Sequence, residues 1–242
     1  MILQTRFQQY LLPSGWSESL EQRGFWFGNI GALSDSDLNL IGYEIANINS
    51  SFTIEAITSV EAHSNTKYLP LTSQNVPFHN DGVYRDIPPS YILLYCVTPS
   101  REGGETLLLP GEEVVRRMDI ELYKFLKETP VRIFLDNYSV IRNLLVNHPD
   151  SNKTVLFFID PGIATSCRLE VDNQPIDNQT VDKIRKLLAE PSIVSHCQEW
   201  CAHDLLIIDN YRVLHGRNAY EGGRLLKKIL ILPCKENFGK KI

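Results

Sequence analysis

Short apolar runs dominate the chain from residue 77 onward. "SYILLYCV" (90–97), "ETLLLP" (105–110), "VRIFLD" (131–136), "KTVLFFI" (153–159), "CRLEV" (167–171), "IVSHCQEW" (193–200), "DLLIID" (204–209) and "LLKKILIL" (225–232) are all of strand length and apolar or β-branched in character. The turn signals "REGG", "DPG", "DNQ" and "EGG" separate several of them. Upstream, "SFTIEAITSV" (51–60) predicts one further strand. Helical spacing appears in three places. In "LSDSDLNLIGYEIANI" (33–48), Leu38, Ile41, Ile45 and Ile48 recur on one face, Ser34 is the N-cap, and Asp37 follows three residues on. The other two helical stretches cover residues 111–127 and 178–190, and in the latter Val181, Ile184, Leu187 and Leu188 keep the period.

Many short strands with few helices predict a mainly β protein with flanking helices. A double-stranded β-helix (jelly roll) fits the strand count, with the helices packed outside one sheet. The strict strand–helix alternation of a parallel α/β sheet is missing. There is no internal repeat, low-complexity tract or linker, so residues 1–242 are expected to form a single domain.

Composition narrows the function. Apolar residues make up 43% of the chain, with ten Phe and ten Tyr, enough for a large core. The formal net charge is −5, from 29 acidic against 24 basic residues. No basic stripe stands out, so no nucleic-acid partner is expected. The N-terminal segment lacks a basic region followed by a long apolar run, and the longest apolar stretches are strand-sized. No membrane association is expected, and the expected location is cytoplasmic. Five cysteines at 96, 167, 197, 201 and 234 are scattered, as free thiols would be. Cys197, Cys201, His196 and His203 are close in sequence, but without a CxxC pair elsewhere they make a poor zinc site.

Two segments carry candidate chemistry. His79 and Asp81 are i and i+2, so in an extended stretch both point to one face. "DLLIIDNYRVLHGR" then offers a buried strand, a turn at Asn210 and a second histidine, His215. Two histidines and a carboxylate on one face of a metal leave positions open for a cosubstrate and O₂, which suits non-haem Fe(II). His203, in "CAHDLL", is the rival distal ligand but reads as a turn residue. His148 reads as a loop position, and His63 as either a lining residue of the substrate pocket or a plain surface histidine. The same three ligand types also suit a metal-dependent hydrolase. A non-catalytic jelly-roll binding protein is the third reading.

An HxD motif before a strand, "GGET" after it, and a late "DN-x-R-x-x-H-G-R" segment occur in that order. With "HNDGVY", "GGETLL" and "DNYRVLHGR" as its most specific stretches, the chain resembles the taurine dioxygenase-like (TauD/TfdA) superfamily of Fe(II)/2-oxoglutarate-dependent oxygenases over roughly residues 30–235. The γ-butyrobetaine hydroxylase and clavaminate synthase-like branches lie near. The resemblance implies that His79, Asp81 and His215 hold Fe(II), with 2-oxoglutarate and O₂ as cosubstrates. It implies that Thr106 and Arg224 bind the distal carboxylate of 2-oxoglutarate, as a hydroxyl donor and a guanidinium fork can. Lys228, where arginine is more usual, matches a second basic position in some members. The implied reaction is hydroxylation or desaturation of a small-molecule substrate, a polar and amino-acid-like metabolite of secondary metabolism, with release of succinate and CO₂. Asn75, Tyr84 and Arg217 flank the metal motif and are the expected substrate contacts. Trp200 is expected in the core or at its rim.

Overall fold

The computed structural model describes residues 12–46, 52–148, 153–190 and 196–233. Two antiparallel sheets face each other. The larger one runs β1 (Phe25–Asn29), β15 (Asp204–Asp209), β5 (Tyr91–Thr98), β18 (Leu225–Pro233) and β2 (Phe52–Ile54), with β3 (Thr58–Val60) also paired to β18. The pleat alternation of β5, β15 and β18 sorts their side chains to two cores. Leu93, Tyr95, Leu205, Ile207, Ile229 and Ile231 face outward, where α1 (Trp16–Arg23) and α2 (Asp35–Ala46) cover them with Leu20, Leu38, Ile41 and Ile45. Ile92, Leu94, Leu206, Ile208 and Leu226 face inward and pack with Leu108 and Trp200. The N-cap expected for α2 is present as a reciprocal box. Asp37 N donates to Ser34 Oγ at 3.2 Å, and Asp37 Oδ2 accepts from Ser34 N at 2.9 Å. Ile48, expected on the same helix, lies outside the described residues.

The smaller sheet runs β14 (His196–Gln198), β7 (Thr106–Pro110), β16 (Val213–Arg217) and β4 (Val76–His79). Val76, Leu109 and Leu214 point away from the larger sheet into a third apolar cluster. That cluster belongs to the segment between the two sheets' strands: α3 (Gly111–Arg116), α4 (Ile120–Glu128), the sheet β13 (Gln174–Pro175), β12 (Arg168–Val171), β8 (Val131–Leu135) and β9 (Tyr138–Arg142), and α5 (Asn178–Leu188). Two short two-stranded ladders complete the fold, the hairpin of β10 (Leu145–Asn147) with β11 (Thr154–Leu156) and the long-range pair of β6 (Glu102–Gly103) with β17 (Tyr220–Glu221). The whole is the expected jelly roll. No helix among the described residues is long and apolar enough to cross a membrane.

Four local expectations change. Helices lie outside both sheets, because the 111–188 segment has its own apolar faces, Leu122 with Leu126 and Val181 with Ile184, to bury. The helix over 111–127 is two helices, since Asp119 restarts the chain as an N-cap, accepting from Leu122 N at 2.7 Å. The strand over 51–60 is also two. Residues 54 to 58 span four steps where β18 spans three, from Ile231 to Lys228, so one residue bulges out of the ladder. Only Thr154–Leu156 of "KTVLFFI" is strand, because the backbone of Phe158 bonds to Asn80 instead of to a ladder.

Candidate metal centre

The register of the smaller sheet brings the two histidines together. His79, the last residue of β4, lies directly opposite His215 on β16, and their ring centroids are 4.3 Å apart. His79 Nδ1 lies 2.9 Å from the carbonyl of Pro77. A carbonyl only accepts, so Nδ1 carries the proton and the Nε2 lone pair is left free. Asp81 Oδ1 lies 3.5 Å from His79 Nε2 and 3.9 Å from His215 Nε2. One ligand atom from each residue lies within 4.8 Å of the others, and no other such cluster occurs among the described residues. A shared ion about 2.0–2.2 Å from each donor is compatible with that spacing. All three residues are buried.

Asp81 reaches this position by a route the pleat does not supply. Strand β4 ends at His79, and Asp81 opens a turn. The turn is built by two fully buried asparagines. Asp81 N donates to Asn210 Oδ1 at 2.9 Å, and Asn210 Nδ2 donates back to the carbonyls of Asp81 and Pro89 at 2.9 and 2.8 Å. Asn80 Nδ2 donates to the Asn210 carbonyl at 2.7 Å, while its Oδ1 accepts from Phe158 N. Gly82 continues the turn at φ 68°, where a Cβ would meet Pro89 at 2.6 Å. Sequence reasoning gave Asn210 only a turn and Asn80 no role. The signal available was an asparagine inside each motif, "HND" and "DNYR".

The electrostatics suit cation ligands. Burial pushes the Asp81 carboxyl up, but the Lys228 ammonium, with the imidazoles of His79 and His215 beside it, outweighs that and holds the group well below its ordinary value. Lys228 Nζ lies 3.2 Å from Asp81 Oδ2. Burial, with His79 beside it, pulls His215 down to about 3, so its ring is a neutral donor at pH 7.

A partly open cavity lies beside the cluster, between the sheets. Thr106, Arg217, Arg224 and Lys228 supply its other polar lining, and Leu94 and Leu226 part of its apolar wall. Arg224 is 5% exposed, yet has no hydrogen-bond or ion-pair partner among the described residues, and its Nε is buried and unpaired. Its guanidinium carbon lies 5.6 Å from the Tyr220 ring centroid and 6.0 Å from that of Trp200. Burial and the neighbouring Arg217 pull its pKa down to about 10. Thr106, 3% exposed, pairs with Arg217 in the register of β7 and β16, two residues along the same face from the Leu108–His215 pair. Its Oγ1 accepts from Trp200 Nε1 at 3.0 Å.

The other expected site residues are placed as follows. Lys228 was expected among the cosubstrate contacts; it lines the cavity and its ammonium contacts Asp81. Arg217 was expected to touch substrate; it lines the cavity, and its Nη atoms donate to the carbonyls of Leu69, Pro70, Thr72 and Gln74, bracing that loop. Asn75 is outside the cavity lining, and its Oδ1 accepts from Ala219 N at 2.6 Å. Tyr84 lines a separate groove with Glu55 and Tyr138, and its ring lies 5.7 Å from that of Tyr138. His203 occupies a turn at φ 73°, its Nδ1 2.9 Å from Tyr95 Oη, apart from the cluster.

Comparison with known proteins places the chain. Residues 40–230 match the taurine catabolism dioxygenase TauD, TfdA family. The chain is 26% identical over 186 residues to 3-((Z)-2-isocyanoethenyl)-1H-indole synthase of Fischerella ambigua, covering 70% of this chain and 68% of that protein. It is 25% identical over 199 residues to tyrosine isonitrile desaturase of Erwinia amylovora, covering 73% of this chain and 65% of that protein. PvcB of Pseudomonas aeruginosa, an Fe, alpha-ketoglutarate dependent oxygenase from an isonitrile synthetic pathway, has the same fold, with a TM-score of 0.69 at 18% identity over 93% of this chain and 83% of that one. The family match spans both arms of the buried cluster and the unpaired arginine beside it, and by that match the chain belongs to the TauD/TfdA dioxygenase family.

Proposed function

We propose that the protein is an Fe(II)/2-oxoglutarate-dependent oxygenase that hydroxylates or desaturates a small, amino-acid-like metabolite. The observation that carries this reading is Arg224, a buried cation without an anion, in the same cavity as the three clustered ligands. A buried charge without a partner is costly unless a ligand supplies one. Hydrolysis takes water as its only co-reactant and so does not itself require a seat for a carboxylate cosubstrate. In this reading His79, Asp81 and His215 hold the metal, and Arg224 with Thr106 holds the far carboxylate of 2-oxoglutarate. Two residues along a strand span about 7 Å, a length that suits a five-carbon diacid reaching from the metal pair to Thr106. The bound iron supplies the chemistry that couples oxidation of a substrate C–H bond to decarboxylation of 2-oxoglutarate. The chain supplies a neutral His215, an ionised Asp81 and a largely apolar wall that limits water. The names of the two curated relatives favour desaturation of an amino-acid derivative bearing an isonitrile. We read residues 1–242 as one catalytic domain. A cytoplasmic setting fits the free thiols of Cys96, Cys167 and Cys201.

The test is direct. Anaerobic protein with Fe(II) develops a visible charge-transfer band on addition of 2-oxoglutarate, and with O₂ and a panel of amino-acid isonitriles it releases succinate with a product lighter by two hydrogens or heavier by one oxygen. Absence of both the band and succinate sinks the proposal.

A further inference from the structure

We infer that Trp200 is a positioning residue that sets the Thr106 hydroxyl as a donor aimed into the cavity, so that this end of the site reads a carboxylate. The inference rests on the oxygenase reading above. A threonine hydroxyl has one proton and two lone pairs and rotates to suit its neighbours. An indole N–H can only donate. With Trp200 Nε1 3.0 Å from Thr106 Oγ1, the hydroxyl proton is excluded from that direction. Thr106 is 3% exposed and has no acceptor for its proton among the described residues, so the proton is left to the cavity that Thr106 lines. Arg224 and Arg217, the other polar groups at this end, also only donate.

Trp200 serves two of these donors. Its N–H orients Thr106, and its ring lies 6.0 Å from the guanidinium carbon of Arg224. Trp200 is itself 9% exposed and packed edge-on against Phe27, with ring centroids 5.4 Å apart, so the indole is held by the core between the sheets. Donors fixed before the ligand arrives need no reorganisation when it binds. An unconstrained hydroxyl would have to give up alternative rotations first.

The discriminating experiment is a double-mutant cycle on the full chain. Binding of 2-oxoglutarate is followed anaerobically by the Fe(II) charge-transfer band, and Mn(II) affinity is measured separately by calorimetry. Trp200→Phe keeps a ring under Arg224 but loses the N–H. It is expected to weaken 2-oxoglutarate binding about three- to tenfold, in line with the loss of one hydrogen bond, and to leave Mn(II) affinity unchanged. In a Thr106→Val background the same change should add less than a twofold effect. Wild-type affinity in Trp200→Phe, or multiplicative effects in the double variant, overturns the inference. A second readout needs no change at Trp200. In ¹⁵N-indole spectra of the Zn(II)-loaded protein, assigned with Trp16→Phe and Trp26→Phe, 2-oxoglutarate should shift the Trp200 signal most of the three. An unmoved Trp200 signal with a saturated site overturns the inference. Unmodified protein that binds no 2-oxoglutarate at all overturns the oxygenase reading, and this inference with it.

Discussion

Lys228 sets its ammonium 3.2 Å from Oδ2 of Asp81, while Oδ1 of the same carboxylate faces the imidazoles of His79 and His215. One oxygen is held by a protein cation and the other is presented to the ligand cluster. Lys228 is the main influence opposing the rise that burial imposes on the Asp81 pKa. Metal binding requires the ionised carboxylate. In Lys228→Met the burial effect loses its chief opponent and the carboxyl pKa rises. Mn(II) affinity in the variant should therefore begin to fall at a higher pH than in the unmodified protein. At alkaline pH the variant should bind Mn(II) at least as tightly, since a repelling charge is gone. Calorimetric titrations from pH 5 to 8 check this, and superimposable profiles would refute it.

Arg224→Met should separate stability from binding. Its guanidinium is desolvated and unpaired, and replacing such a charge with an apolar side chain of similar length should stabilise the ligand-free protein by about 1–3 kcal/mol. The same change should weaken 2-oxoglutarate binding by roughly 2–5 kcal/mol, the usual cost of losing one partner of a close charge pair. Denaturant melts and charge-transfer titrations measure the two effects on one sample. A variant that is both less stable and fully competent to bind 2-oxoglutarate would contradict the placement of this side chain.

Asn210→Ala should be among the most damaging single changes outside the apolar core. It leaves the Asp81 amide and the Asp81 and Pro89 carbonyls without their partner in a buried turn. At about 1–3 kcal/mol for each unsatisfied group, with some recovery by relaxation, a loss of roughly 3–5 kcal/mol is expected. Because the turn also carries Asp81, Mn(II) affinity should fall in the fraction that still folds. Urea melts and calorimetry check the two expectations.

Asp209 offers a pH test remote from the metal cluster. Burial raises its pKa from 3.8 to about 6, only partly offset by Arg212. A carboxyl raised on folding binds more protons in the native state between those two values, so stability falls as pH rises through that window. Asp209→Asn keeps the acceptor for the amides of Tyr211 and Arg212 but carries no charge to desolvate. The variant should lose that slope and be more stable above pH 6, by up to about 3 kcal/mol. Unfolding free energies at pH 5 and 7.5 decide it.

Much of this architecture was legible in the chain because alternation along β5, β15 and β18 is read directly as two faces. The histidine pair was legible too, since HxD and a late histidine after a buried strand leave few ways to meet. What escaped reading depends on contacts between distant segments. Asn80 and Asn210 look like ordinary turn residues until the fold sets one against the other. Arg217 resembles a substrate contact in sequence, and only the path of residues 69–74 around it occupies its Nη donors. The helix break at Asp119 was legible in principle, since an aspartate three residues before Leu122 is an N-cap signal.

The cross-strand pairing of His79 with His215 carries a consequence for how the chain stays folded. Among the described residues, strand β4 is the outer strand of its sheet, joined to β16 alone. An ion shared by the two histidines would bind partners more than a hundred residues apart in sequence and so act as a reversible cross-link closing a very long loop. A strand paired on one side has fewer ladder bonds to lose in a local opening than one paired on both, and this one would be clipped shut whenever metal is present. The iron supply of the cell would then set the lifetime of the protein as well as its activity, with metal-starved molecules exposing β4 to proteases first.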